Sequence, residues 1–151
     1  MSDQSAGVLV LCTGNSCRSQ MAEAFLRRYL DNRLPVYSAG SEPAVEIHPL
    51  TARVMSEVGL DLSGRKPRHL DEYLGRVSIR TLVTVCDSAA RSCPAVWPGV
   101  QERLSWPFED PAGFKGSEEQ KLAKFREVRD AIEVKVKEWL ACDETASACE
   151  D

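Results

Sequence analysis

Residues Val8-Leu9-Val10-Leu11 form a β-branched and leucine run with no polar position on either face. It stops at once in Cys12-Thr13-Gly14-Asn15-Ser16. A strand that is apolar on both faces has to be covered on both, which is the condition of a buried parallel sheet. From about Arg18 the spacing turns helical, with Met21, Ala24, Phe25 and Tyr29 on one face. The chain therefore opens as strand, loop and helix, and the loop is short, small and polar.

The same alternation runs on. Pro35 to Gly40 reads as a second strand closed by glycine, and a second helix starts near Pro49, a residue tolerated in a first turn. It carries Leu50, Val54, Met55 and Val58 and ends at Gly59. The segment from Asp61 to Leu74 is polar with helical fragments that Pro67 keeps short. Ile79 to Cys86 is the clearest later strand, and residues 87–101, with two Pro and one Gly, read as a mobile loop. Arg103 to Trp106 is a last short strand, followed by a turn region from Pro107 to Gly116. Leu122, Phe125, Val128, Ile132, Val136 and Trp139 recur at three and four, which makes a final amphipathic helix. Strands alternating with helices give a single α/β domain with a parallel sheet over residues 1–151, in which 141–151 is expected to be a frayed acidic tail.

Composition excludes several classes. A 43% hydrophobic and 28% charged chain of 151 residues fits an ordinary globular domain. A net charge of -4 argues against a nucleic-acid surface, which needs clustered Lys and Arg. The longest apolar run, Gly7 to Leu11, is far below the roughly 20 residues of a membrane helix, so no membrane partner is expected. The start, Met1-Ser2-Asp3-Gln4-Ser5, lacks the pattern of a signal peptide, and a cytoplasmic, monomeric protein is expected. Six cysteines are many for that compartment, where thiols serve catalysis, redox chemistry or metals more than stable disulfides. None lies in Cys-x-x-Cys, and His48 and His69 do not fall at finger spacing, so no metal site is expected.

The first loop carries the chemistry. A segment between a strand and a helix aims successive backbone N–H groups inward, and the helix start adds partial positive charge, so Thr13, Gly14, Asn15, Ser16, Cys17, Arg18 and Ser19 make a cradle for a tetrahedral oxyanion. Arg18 supplies a bidentate fork. Cys12, in the same field, is placed to be a thiolate nucleophile, and the hydroxyl of Ser19 is placed to donate to it. Gly14 and Asn15 are the residue types that tolerate a left-handed backbone. The bare Cys-x5-Arg spacing is weak, since a chain with this many Cys and Arg meets it by chance; its context gives it weight. No Gly-Lys-Ser/Thr follows, so this is not a nucleotide loop.

The stretch from Val8 through Cys12-Thr13-Gly14-Asn15-Ser16-Cys17-Arg18-Ser19 to Gln20-Met21-Ala22-Glu23 resembles the signature of arsenate reductases built on the low-molecular-weight tyrosine phosphatase fold. The resemblance continues through Tyr37-Ser38-Ala39-Gly40, Thr84-Val85-Cys86-Asp87, Cys93-Pro94 and Asp110-Pro111-Ala112. It implies a three-layer α/β sandwich with a four-stranded parallel sheet flanked by helices. It also implies that Cys12 attacks arsenic, that Arg18 stabilises the oxyanion, and that Asp110 is the loop acid, with Glu109 as the backup carboxylate. An Asp before Pro is otherwise a common turn former.

Two thiols supply two electrons when they become a disulfide, and exchange carries that disulfide to a reductant. Cys86 ends a predicted parallel strand at the sheet edge that carries Cys12, and Cys93 follows seven residues later. The resemblance implies a relay over Cys12, Cys86 and Cys93 regenerated by thioredoxin, or by glutaredoxin, whose coupled relatives share the loop. The alternative is a low-molecular-weight phosphatase hydrolysing aryl phosphates through a Cys12 phosphoenzyme. Against it stand the Cys86 and Cys93 pair and Gln20, where phosphatases usually have Pro. A third reading is a non-catalytic oxyanion-binding or redox-sensing module. Cys17 reads as a packing thiol, Cys142 and Cys149 as incidental to the mechanism, and His48 and His69 as surface or capping residues. No obligate cofactor is implied. Some relatives hold potassium near the loop with residues that match Asn15, Glu23 and Ser38, but the usual acidic partner is replaced near His69, which counts against a potassium site.

Overall fold

The computed structural model describes residues 6–31, 33–85 and 99–144, and of residues 142–144 the backbone only. Four strands, β1 (Gly7–Cys12), β2 (Val36–Gly40), β3 (Ile79–Thr84) and β4 (Glu102–Ser105), form one sheet in the order β2-β1-β3-β4 with every pairing parallel. Among the described residues, three helices accompany it: α1 (Arg18–Leu30), α2 (Pro49–Glu57) and α3 (Glu118–Glu144). The fold is the α/β architecture that the alternating pattern predicts.

All six residues of β1 are buried, as both apolar faces require. Val8, Leu9, Val10 and Leu11 are no more than 2% exposed, and each side chain so buried contributes about 1.5–3 kcal/mol. β1 is thus the central strand, with β2 and β3 on its two sides. β4 is the edge, and its residues are mostly exposed. It spans Glu102–Ser105, one residue before the segment expected, because Trp106 has already left the ladder and packs edge-on against Trp139 of α3.

α1 packs on β1, β2 and α3, burying Met21, Ala24 and Phe25 as its spacing predicts. Tyr29 is only partly buried, and Ser19, Gln20 and Glu23 are buried as well. The first half of α1 is therefore enclosed on more than one face, which periodicity alone does not reveal. α2 starts with Pro49 in its first turn and His48 as its cap, whose ring nitrogen accepts from the Leu50 N–H at 3.1 Å. α3 runs to Glu144, four residues beyond Leu140, where the apolar spacing ends. Residues 141–144 of the expected frayed tail are thus helical: the helix keeps its backbone bonds past the last core contact. Among the described residues, no helix is long and apolar enough to cross a membrane.

Candidate active site

The register aligns one edge of the sheet. Cys12 pairs with Gly40, Leu11 with Thr84, and Thr84 with Ser105, so β1, β2, β3 and β4 all end together. Ligands of open parallel sheets bind at such C-terminal edges. Beyond it, the N–H of Val85 donates to the Leu11 carbonyl at 3.0 Å and that of Trp106 to the Thr84 carbonyl at 2.8 Å.

Four carbonyls shape the loop after Cys12. Those of Thr13, Gly14 and Ser16 accept from the backbone N–H groups of Glu42, Ala44 and His48 at 2.9, 2.9 and 3.2 Å. That of Asn15 accepts from Gln20 Nε2 at 3.1 Å. In a trans peptide the N–H points opposite to the carbonyl of its own unit, and no cis bond occurs among the described residues. The N–H groups of Gly14, Asn15, Ser16 and Cys17 are therefore turned away from these partners. A run of N–H groups so directed, ending at the start of α1, has the geometry that anion-binding concavities use.

Asn15 is buried and sits at a φ of 52°, in the left-handed region. Of the two residue types that tolerate a left-handed backbone, Asn15 takes it and Gly14 does not. A single inversion turns the chain, and the side chain of Asn15 fixes it. Its Nδ2 donates to Ser19 Oγ at 2.8 Å and Ser38 Oγ at 3.0 Å, and its Oδ1 accepts from the Arg68 N–H at 2.8 Å and Gln20 Nε2 at 3.1 Å. A backbone N–H cannot accept, so the bond from Arg68 settles which end of the carboxamide is oxygen. Ser19 accepts here, which leaves its own hydroxyl hydrogen to donate elsewhere.

Gly40 lets β2 approach the loop. A Cβ built there would collide with the Thr13 carbonyl oxygen and crowd that of Cys12. Ser38, two residues earlier, donates to Glu23 Oε1 at 2.6 Å, which extends the network from the loop into α1.

Cys12 and Cys17 are both buried thiols. Burial pushes the Cys17 thiol up, against smaller opposing contributions from the hydroxyls of Thr51 and Ser16. It caps α1 through its backbone, and its carbonyl accepts from Met21 N at 3.0 Å. A raised, enclosed thiol fits packing better than attack.

Arg18, the first residue of α1, donates from Nη1 to the Phe108 carbonyl at 2.9 Å, and its Nη2 lies 3.8 Å from Asp110 Oδ2. Its Nε is buried without a partner among the described residues. Asp110 faces two ways: its Oδ1 caps the 3-10 turn Pro111–Gly113 by accepting from Ala112 N at 3.0 Å, while Oδ2 faces Arg18. The turn-forming and acid readings of Asp110 are thus compatible. Glu109 is held instead by Lys124 of α3 at 3.0 Å.

The structure brings Cys12, the loop 13–17, Arg18, Ser19 and Asp110 together. Cys86, Cys93 and Cys149 lie outside the described residues, as does the side chain of Cys142. His48 stacks on Phe125 at 4.8 Å between ring centroids, and His69 caps the 3-10 turn Leu70–Glu72. Both are capping residues, as expected. Among the described residues no group of three or more His, Cys, Asp and Glu could hold a metal ion. Sequence reasoning missed Gln20 as a loop brace, the inward reach of the Arg65 side chain and the backbone bond from Arg68 to Asn15. Their contacts span from 5 to 53 positions and carry no periodic signal.

Residues 7–148 match the model of the family described as low molecular weight phosphotyrosine protein phosphatase, and the chain belongs to that family. It is 44% identical over 131 residues to the arsenate reductase of Halalkalibacterium halodurans, covering 86% of this chain and 91% of the relative. Among solved structures, it matches an arsenate reductase in the phosphate-binding state with a TM-score of 0.75 and 30% identity, covering 90% of this chain and 97% of the other. It also matches a thioredoxin-dependent arsenate reductase of Corynebacterium glutamicum with a TM-score of 0.73 and 29% identity, over 97% of this chain and 65% of that one.

Proposed function

We propose that the protein is an arsenate reductase that works through a Cys12 adduct and a relay of Cys12, Cys86 and Cys93, with thioredoxin as the reductant. The observation that carries the oxyanion chemistry is the loop itself, whose four outward carbonyls leave N–H groups facing the other way beside Cys12 and Arg18. Arsenate and phosphate share that tetrahedral shape. The choice of arsenate rests on the 44% identical relative and on a thiol pair that hydrolysis does not require.

In this reading, the Cys12 thiolate attacks As(V) and an oxygen leaves as water with a proton from Asp110, while the loop N–H groups and Arg18 hold the remaining oxygens. The Cys86 thiolate then attacks the Cys12 sulfur. The sulfur–arsenic bond breaks with its electron pair on arsenic, which leaves as arsenite, and a Cys12–Cys86 disulfide forms. Cys93 attacks Cys86 and releases the Cys12 thiolate. The Cys86–Cys93 disulfide takes two electrons from the dithiol of thioredoxin. Val85, the chain neighbour of Cys86, is bonded to Leu11, the neighbour of Cys12, which supports the first exchange.

The test is NADPH consumption with thioredoxin and its reductase on adding arsenate, run beside hydrolysis of an aryl phosphate. Arsenate-dependent consumption that disappears in both Cys12→Ser and Cys86→Ser is expected. Sustained turnover by Cys86→Ser would remove the relay. Aryl phosphate hydrolysis without NADPH consumption would favour the phosphatase reading, which Cys12, Arg18 and Asp110 serve equally well. Consumption with glutaredoxin in place of thioredoxin would keep the reduction and change the partner.

A further inference from the structure

The carboxylate of Glu23 lies 5% exposed beneath the oxyanion loop, with two guanidinium groups on one of its oxygens. Arg27 Nε and Nη2 reach Oε2 at 2.9 and 2.8 Å from one turn further along α1, and Arg65 Nη1 reaches it at 2.9 Å from a different part of the chain. The other oxygen, Oε1, accepts from Ser38, which in turn accepts from Asn15.

The potassium site implied by some relatives does not fit these residues. A hard monovalent cation needs several oxygens with lone pairs turned toward it. Here the Glu23 carboxylate accepts from Ser38, Arg27 and Arg65, and the Asn15 carboxamide oxygen accepts from Gln20 and the Arg68 N–H. We infer that Arg65 is a built-in cation: its guanidinium takes the place of a bound metal ion and acts as a positioning residue for the oxyanion loop through Glu23, Ser38 and Asn15.

Two features make Arg65 rather than Arg27 the carrier. Arg27 sits four residues from Glu23 on the same helix and is half-exposed, and its Nη2 also donates to the Val36 carbonyl at 2.6 Å, at the end of β2 opposite the loop, so it ties α1 to β2 away from the cradle. Arg65 follows a turn in which Asp61 Oδ1 accepts from Ser63 N at 2.9 Å and the Leu62 carbonyl accepts from Arg65 N at 3.0 Å. Three residues later, Arg68 donates its N–H to Asn15 and its carbonyl accepts from Gly40 N at 2.8 Å. The segment 65–68 therefore neutralises Glu23, supports the carboxamide that shapes the loop, and holds the end of β2.

The inference rests on the loop being an oxyanion cradle, and inorganic phosphate is the probe that separates the two. Phosphate affinity and melting temperature are measured by calorimetry for wild type, Arg65→Met and Arg65→Lys, in potassium chloride and in tetramethylammonium chloride at equal ionic strength. Wild type should bind phosphate equally in both salts. Arg65→Met should bind it about tenfold more weakly in tetramethylammonium and recover most of that loss in potassium, which now finds Glu23 open. Arg65→Lys should stay nearer to wild type and show no potassium response. A merely structural ion pair would not give the Met variant a preference between the two salts, so salt-independent affinity in that variant overturns the inference. So does a specific potassium response of the wild type. If Arg65→Met does not fold, the wild type and Arg65→Lys decide, and a potassium response in either is fatal. Wild type that binds no phosphate removes the cradle, and the inference with it.

Discussion

The Asn15 carboxamide and the Ser38 hydroxyl, 23 residues apart in the chain, are joined by a buried 3.0 Å hydrogen bond. That bond ties the loop after β1 to the inner end of β2, and the remaining three contacts of the carboxamide tie it to α1 and to Arg68. The loop is therefore braced from three directions before any anion arrives. In the proposed reading, a cradle held open in this way loses little ordering entropy on binding an oxyanion, which is how preformed sites gain affinity.

Asn15→Ala removes all of these side-chain bonds and leaves alanine at a φ of 52°. With about 1 kcal/mol for each net bond and about 1 kcal/mol or more for the left-handed backbone, a loss of roughly 3–5 kcal/mol is expected. Asn15→Gly loses the same bonds but tolerates the backbone, so it should recover about 1 kcal/mol of that. Urea unfolding of both variants measures the difference. Equal stabilities would mean that the backbone at this position carries no strain for alanine.

Gly40→Ala tests the close approach of β2 to the loop. The added methyl has to displace the Thr13 carbonyl, which also accepts from Glu42 N at 2.9 Å. Overpacking of this kind costs about 1–3 kcal/mol. Because the displaced group belongs to the cradle, phosphate binding should weaken along with the melting temperature. A variant that melts lower yet binds phosphate normally would show that the loop adjusts without losing its shape.

How much of this was readable in the sequence follows from the range of each interaction. β1 announces itself because four consecutive apolar residues leave no exposed face, and the long helix because its apolar residues recur at three and four. The candidate loop is legible from strand, small polar loop, Cys12 and Arg18 because all of it is local. The strand order β2-β1-β3-β4 is not, since nothing in a strand names its neighbour. Neither is the choice of Asn15 over Gly14 as the inverted residue, for it depends on Ser38 and Arg68, distant in the chain. Arg65 is the extreme case. As a sequence letter it reads as a solvated charge, and only its distance to a buried carboxylate gives it a role.

Asp110 stands next to Arg18 at the mouth of the loop while its other oxygen caps the following turn. As the proposed proton donor, it should affect chemistry more than binding. Asp110→Asn keeps an acceptor for Ala112 N and removes the proton, so kcat should fall about 10²–10⁴-fold with KM within a few-fold of wild type. Steady-state arsenate kinetics measure both. An unchanged kcat takes Asp110 out of the mechanism, and a rise in KM alone would make it a substrate contact.

The clamp between α2 and α3 links the stability of the fold to pH. Glu57 on α2 receives Arg126 Nε and Nη2 at 2.9 and 2.6 Å and Arg129 Nη1 at 2.9 Å, both from α3. Arg129 also donates to the Val54 carbonyl at 2.9 Å. The hydrogen bond from Arg126 is the largest cause of a carboxyl pKa lowered from 4.5 to about 2. A depressed folded-state value means that the unfolded chain takes up the proton first as pH falls. The contribution of Glu57 is therefore fully present above 4.5 and is lost as pH drops from 4.5 toward 2. Glu57→Gln has no such proton to take up, so its melting temperature should be lower than wild type at neutral pH and should converge on it near pH 2. Thermal melts across that window check the sign. A gap that stays constant with pH would show that the clamp acts through packing and neutral hydrogen bonds, with the charge on Glu57 contributing nothing.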